Sequence, residues 1–214
     1  MAIPKVIYQT FKRRQLPFIN RLAIQWLKFR NKAYDYEFYD DARIEAFMNA
    51  EFAGEVANAY NKLNIGAAKA DFFRYCILYK KGGVYLDIDA YVPGALDSFI
   101  KPDDVAVITE ERHPGIFVQW AMIYEAGHPF LKRTIDIVVD NIKHNRYPNS
   151  VHGMTGPTPY SQAIHSLMSD KTIRYRVMGV DYNKAIRSRL PFSKLLYKKG
   201  EHWKAMEKVV TVLR

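Results

Sequence analysis

Residues 66–89 read GAAKADFFRYCILYKKGGVYLDID. From Ala67 to Tyr79 the segment is rich in good helix formers and holds no Pro or Gly. Phe72, Phe73, Cys76 and Ile77, followed by Tyr79 or Lys80, keep helical spacing, which predicts a helix. Lys80 and Lys81 suit the negative end of a helix dipole, and Gly82 supplies the left-handed residue that ends it. After Gly83, Val84-Tyr85-Leu86 is a short apolar run of strand type. It leads directly into Asp87-Ile88-Asp89.

Two carboxylates at i and i+2 at the end of a buried strand need a cause. Strand alternation predicts both on one face, roughly 6–7 Å apart along the chain. Like charges that close raise a pKa unless a cation sits between them. A hard divalent ion with bound phosphates is one solution, and a polar turn with no ligand is the plain alternative. On the preceding helix Asp71 and Arg74 stand at i and i+3 and share a face. They form either a local salt bridge or a carboxylate and guanidinium aimed at hydroxyls of a sugar.

The whole string resembles the DXD-type glycosyltransferases of the capsular-polysaccharide and fungal initiating-mannosyltransferase kind, glycosyltransferase family 32. There an Ala-Asp-hydrophobic-hydrophobic-Arg-Tyr helix precedes Gly-Gly-Val-Tyr-Leu-Asp-x-Asp. Asp71, Arg74, Tyr75, Gly82, Gly83, Tyr85, Asp87 and Asp89 match it position by position. The catalytic domains of the large clostridial glucosylating toxins share this core and continue with a Pro-Gly, as Pro93-Gly94 does here.

The resemblance implies a single-domain GT-A-like α/β/α sandwich over residues 1–214, with a mixed, mostly parallel central sheet. It implies a nucleotide-diphosphate sugar donor (a UDP- or GDP-sugar), a glycan or lipid-linked acceptor, Mn²⁺ or Mg²⁺, and retention of anomeric configuration. By resemblance Asp89 is the more direct metal ligand. Asp87 serves ribose, donor sugar and a water on the metal. Asp71 and Arg74 hold donor-sugar hydroxyls with Tyr85 nearby. No carboxylate stands out as a nucleophile; a front-face mechanism, in which the leaving phosphate takes the acceptor proton, needs none.

At 214 residues the chain is long enough for one domain with a sizeable core. Its hydrophobic content of 49% and aromatic content of 14% exclude a disordered chain. Cys76 is the only cysteine, so no disulfide forms within the chain, which suits a reducing, cytoplasmic compartment. No apolar run reaches membrane-spanning length, and Met1 to Lys5 does not read as a signal peptide. The net charge of +10 is uneven. Residues 171–214 hold 12 Lys and Arg against 3 Asp and Glu, while residues 1–170 hold 20 against 19. That basic segment faces a diphosphate, an anionic membrane or plain solvent. No zinc-ligand spacing or RNA-binding aromatic motif points to nucleic acid.

Along the rest of the chain, Ile3 to Thr10 reads as a first strand. In the resembled family its end lies near the nucleotide base. Tyr8, Thr10 and Phe11 are therefore candidate donor-binding residues, with Tyr8 standing for the usual His and Phe11 for the usual Trp. Pro17 to Phe29 is a helix, either packed or a basic amphipathic surface for membrane. Tyr36 to Tyr39 is a strand and Asp40 or Asp41 caps a helix to Met48. Glu51 to Leu63 is helical, and 104–109 and 116–123 are strands. Gly127-His128-Pro129-Phe130 opens a helix to about His144, with His128 structural. Residues 151–159 read as a Gly/Pro-rich loop before a helix; the resembled family carries a Thr-Gly-Pro there, so it is either an acceptor-side loop or a plain connector. Ile173 to Val177 reads as a last strand.

Near the C-terminus, Gly200-Glu201-His202-Trp203 corresponds loosely to the family's closing element. It makes His202 a candidate metal or phosphate ligand and Trp203 a candidate donor contact. On this reading residues 171–214 fold over the diphosphate, and truncation before Gly200 leaves a stable core. Two other classes compete. A haloacid-dehalogenase-type phosphohydrolase also uses Asp-x-Asp after an apolar strand. It wants Thr or Val where Tyr91 stands, and its motif near the start of the chain. A non-catalytic basic surface-binding protein is the other, and the near-neutral first 170 residues argue against it.

Overall fold

The computed structural model describes residues 2–188 and 206–214. The helix expected after Ala67 is α4, Gly66–Lys81, and the strand after it is β3, Gly83–Leu86. Between them Gly82 has φ +64° and Gly83 φ +110°. A Cβ on Gly82 would stand 2.7 Å from the Ala126 nitrogen, and one on Gly83 2.8 Å from the Val6 carbonyl oxygen. Only glycine permits both the backbone and the approach. The turn is therefore tight, and α4 lies antiparallel to β3, its N-terminus at the strand's carboxyl end.

Around this hairpin the chain builds β1 (Val6–Thr10), α1 (Phe18–Arg30), β2 (Asp35–Tyr39), α2 (Asp41–Glu51) and α3 (Glu55–Lys62) before it. After it come β4 (Ala106–Thr109), β5 (Ala121–Tyr124), α5 (Pro129–Lys143), α6 (Val151–Met154), α7 (Pro157–Leu167) and β6 (Arg176–Met178). The sheet order is β2-β1-β3-β5-β4-β6. β1 pairs parallel with β2 and β3, and β4 with β6; β5 runs antiparallel to both its neighbours. The sheet is mixed and mostly parallel, as expected, and the carboxyl ends of β1, β3 and β4 share one edge.

Strand alternation sorts the core into two layers. Tyr8, Tyr85, Ile108 and Tyr124 face the large cluster that includes α2 to α7. Ile7, Val84, Val107 and Ile123 face the smaller one with Leu27 of α1, Leu96 and Tyr182. Nine residues of α4, from Ala68 to Leu78, are buried, because it lies between the sheet and α5. Full burial of each apolar side chain there contributes about 1.5–3 kcal/mol.

The structure corrects several local expectations. The helix expected from Glu51 to Leu63 breaks at Gly54, φ +62°, and α3 starts only at Glu55. The strand expected over 116–123 is ladder only from Ala121. Upstream of it the backbone is diverted: Phe117 N–H donates to Ser161 Oγ, and the Gln119 carbonyl accepts from Arg74. The Gly/Pro-rich 151–159 is no loop. Ser150 Oγ caps α6 at Gly153 N–H, and Pro157 occupies the first turn of α7, where its missing N–H costs nothing. Truncation before Gly200 would not spare the core. Val212 is fully buried, and residues 212–214 bond back to Asn64, Pro148 and Lys62.

Candidate active site

β3 ends at Leu86, and the two carboxylates do not continue it. Asp87 N–H donates to the Trp120 carbonyl at 2.7 Å, and Ala90 N–H closes a turn onto the Asp87 carbonyl at 2.9 Å. The expected strand alternation of Asp87 and Asp89 is thus replaced by a turn that presents both, each half-buried. Three contacts fix this turn. Gln9 of β1 donates through Nε2 to the Asp87 carbonyl at 3.1 Å. Asn20 of α1, itself 0% exposed, donates to the Ile88 carbonyl at 3.3 Å. The Ile88 side chain packs on Phe11.

Behind the turn lies a buried charge cluster. Arg74 Nη2 stands 3.1 Å from Asp71 Oδ1 and 3.1 Å from Asp87 Oδ1, and Nη1 donates to the Gln119 carbonyl at 3.0 Å. Its guanidinium carbon lies 4.7 Å from the Tyr85 ring centroid. Tyr85 OH donates to Asp87 Oδ1 at 3.1 Å and sits 3.0 Å from Thr10 Oγ1. Asp71 also accepts from Gln119 Nε2 at 3.2 Å and Thr155 Oγ1 at 3.3 Å. The Asp71–Arg74 pair is therefore no exposed local salt bridge. Both side chains are under 10% exposed, whereas Asp87 keeps 31%.

The electrostatics follow from that placement. Burial raises the Asp71 carboxyl to about 6, with Arg74 pulling it down and Asp87 pushing it up. Burial likewise raises Asp87, against the pull of Arg74 and the Tyr85 hydrogen bond. Burial opposes the charge on Arg74, but Asp87, Tyr85 and Asp71 together hold it firmly protonated. The cluster is one cation shared by two acids, with Arg74 Nε unpartnered among the described residues.

Of the expected site residues, Thr10, Asp71, Arg74, Tyr85 and Asp87 come together, with Asp89 on the same turn. Phe11 lies beneath that turn. Tyr8 is 1% exposed, in the large core beside Tyr39. His202 and Trp203 lie outside the described residues. His128 caps α5: Nδ1 accepts from Phe130 N–H, and Nε2–H donates to the Arg174 carbonyl. Sequence reasoning missed Gln9, Asn20, Gln119 and Thr155. Each reaches the site from a distant segment.

Asp87 and Asp89 offer hard oxygen donors on one turn. Among the described residues no group of three or more His, Cys, Asp or Glu could hold a metal ion. Mg²⁺-like ions commonly take one or two carboxylates and complete their shell with substrate phosphates and water, so this donor set fits a cation that arrives with a diphosphate.

A mostly parallel sheet with an Asp-x-Asp turn at its carboxyl edge, backed by an Asp-Arg-Asp cluster, is the arrangement expected of a GT-A-like α/β/α sandwich. The comparisons carry this further. Residues 18–106 match the model described as "Glycosyltransferase sugar-binding region containing DXD motif", a stretch that carries α4, β3 and both carboxylates of the turn. The chain is 28% identical over 193 residues to the initiation-specific alpha-1,6-mannosyltransferase of Schizosaccharomyces pombe, covering 76% of this chain and 48% of that one. It is 27% identical over 140 residues to inositol phosphoceramide mannosyltransferase 3 of the same organism, covering 63% and 36%. The chain thus spans less than half the length of either relative. The solved PaToxG Glycosyltransferase superposes with a TM-score of 0.63 at 20% identity, covering 77% of this chain and 70% of that one, a likeness of fold. No helix among the described residues is long and apolar enough to cross a membrane.

Proposed function

We propose that this chain transfers a hexose from a nucleotide-diphosphate sugar to a glycan or lipid-linked acceptor, with retention of configuration and with Mn²⁺ or Mg²⁺. The observation that carries the reading is the Asp71–Arg74–Asp87 cluster directly behind the half-buried Asp-x-Asp turn. Open α/β sheets bind ligands beyond the carboxyl ends of their strands, which is where this cluster lies. A divalent ion bound at the turn would supply charge neutralisation for the leaving diphosphate.

Asp89 and Asp87 would hold that ion. Asp71, kept ionised by Arg74, accepts from donor-sugar hydroxyls, and Arg74 Nε, which has no hydrogen-bond partner among the described residues, donates toward them. Thr10 and Tyr85 hold Asp87 in place, and Phe11 sits where a base would reach the end of β1. In transfer, the bond from the anomeric carbon to phosphate breaks as the acceptor oxygen bonds on the same face. The acceptor proton passes to the departing diphosphate, so no protein nucleophile is required. His202 and Trp203 are proposed to close the donor side. In support, the described residues flanking their stretch lie near the cluster: Arg187 pairs with Tyr91, two residues past Asp89, and Glu207 accepts from Val151 N–H of α6. The lone buried Cys76 suits a reducing compartment.

The test is nucleotide release from a panel of UDP- and GDP-sugars with Mn²⁺, followed by the anomeric configuration of the product. Asp89→Ala should lose about 100-fold or more of the metal-stimulated turnover. Its thermal stability should stay within about 0.5 kcal/mol of wild type. Near wild-type turnover in the variant would sink the reading of the Asp-x-Asp turn.

A further inference from the structure

We propose that the outward face of α1 is a docking surface for an anionic lipid bilayer. The sequence FINRLAIQWLKFR places apolar residues on two opposite sides of one helix. The inner side carries Asn20 and Leu27, the two buried residues of α1. The outer side carries Phe18, Leu22, Trp26 and Phe29, spaced by four, four and three residues, which is one stripe at helical period. These four are 66%, 41%, 41% and 60% exposed. Scattered exposed apolar residues are ordinary; a continuous stripe with three aromatic rings over three turns marks an interaction site.

The charge around the stripe selects the partner. From Phe11 to Tyr34 the chain holds seven Lys and Arg and no Asp or Glu. Three of these cations lie along the rings of the stripe: Arg21 on Phe18 at 5.8 Å, Arg30 on Trp26 at 5.6 Å and Lys32 on Phe29 at 5.1 Å. Exposed aromatic rings bordered by cations fit the headgroup level of an anionic membrane, with rings in the acyl boundary and cations on lipid phosphates. The near-neutral balance of residues 1–170 hides this local excess, because acids elsewhere offset it. The inner side of the same helix holds the Asp-x-Asp turn through Asn20. Docking would thus set the carboxyl edge of the sheet within about one helix diameter, ~10 Å, of the lipid surface.

Docking needs neither donor nor metal, so its test is separate from that of sugar transfer. The full chain is floated with vesicles of phosphatidylcholine alone and with about 30% phosphatidylserine added. Binding should be at least about tenfold tighter to the anionic vesicles and weaken strongly toward about 1 M salt. Leu22→Ser with Phe29→Ser, and separately Arg21→Glu with Arg30→Glu, should each reduce it about tenfold or more while melting as wild type does. Quenching by brominated lipid should occur in the wild type and be largely lost in Trp26→Phe, which settles the matter if a double variant folds poorly. Equal or absent binding to the two vesicle types would overturn the proposal. So would wild-type binding by both double variants, which moves docking to the basic C-terminal segment. A self-association removed by Leu22→Ser and Phe29→Ser, without vesicle binding, would assign the face to a second copy instead.

Discussion

Helices α4 and α1 hold the same turn from two sides, and both are rich in aromatic residues. α4 buries nine residues and supplies Asp71 and Arg74; α1 buries two and supplies Asn20. The aromatic side chains Phe72, Phe73 and Tyr75 are all 0% exposed, whereas Phe18 and Phe29 are more than half exposed. Composition therefore does not tell what an apolar residue is for. In α4 it stabilises the fold around a charged cluster, and in α1 it is left over after the fold is complete.

Arg74→Met tests the α4 side most severely. It leaves Asp71 buried and Asp87 half-buried without their shared cation, so it should cost about 3–5 kcal/mol in stability by denaturant unfolding. Donor turnover should fall by about a thousandfold. Arg74→Lys should still impair donor use, because a point charge replaces the fork that reaches both acids and Gln119. Unchanged kinetics in both would reduce the cluster to scaffolding.

The comparison itself is tested by one substitution made twice. Phe73→Ala should cost about 3–5 kcal/mol, while Phe29→Ala should stay within about 0.5 kcal/mol. Similar costs at both positions would mean that α1 is packed after all.

A pH measurement sharpens the role of Asp71. Its folded pKa, about 6, lies above its ordinary value of 3.8. A raised acid favours the protonated folded form, so its contribution to stability declines as pH rises from about 4 to 6 and is flat above. The stability difference between wild type and Asp71→Asn should therefore change across that window. Turnover should move the other way, falling up to about tenfold per pH unit below about 6 if the ionised carboxylate accepts from the sugar. An acid limb in kcat/KM that persists unchanged in Asp71→Asn would assign it elsewhere. Asn20→Ala should cost about 1 kcal/mol by leaving the Ile88 carbonyl unbonded, with a larger proportional effect on turnover than on stability.

The parts legible in the sequence are those that lie next to one another in it. Asp71, Arg74, Tyr85, Asp87 and Asp89 fall within 19 consecutive positions that a helix, a two-glycine turn and a strand fold back on themselves. That hairpin identified both the sheet and the heart of the site. Gln119 and Thr155 left no such trace. They act partly through a carbonyl and a hydroxyl brought in by segments that read as a plain strand and a loop. The burial of the Asp71–Arg74 pair was equally hidden, since i and i+3 spacing is the same for an exposed pair as for one beneath a strand end. The Gly/Pro-rich stretch misled because glycine and proline punctuate helix ends as well as loops, and here two short helices meet at Gly156.

Cys76, buried in α4 between Phe72 and Lys80, has one more consequence. It is the chain's only thiol, and burial pushes its pKa well above the ordinary value. Only a thiolate reacts readily with an alkylating or disulfide reagent, so the folded protein should be close to inert toward one. Labelling at a single atom, half a turn from Arg74, then becomes a clock for how often α4 lifts off the sheet. Donor and metal, if they bind across the Asp-x-Asp turn, should slow that clock without touching the sulfur.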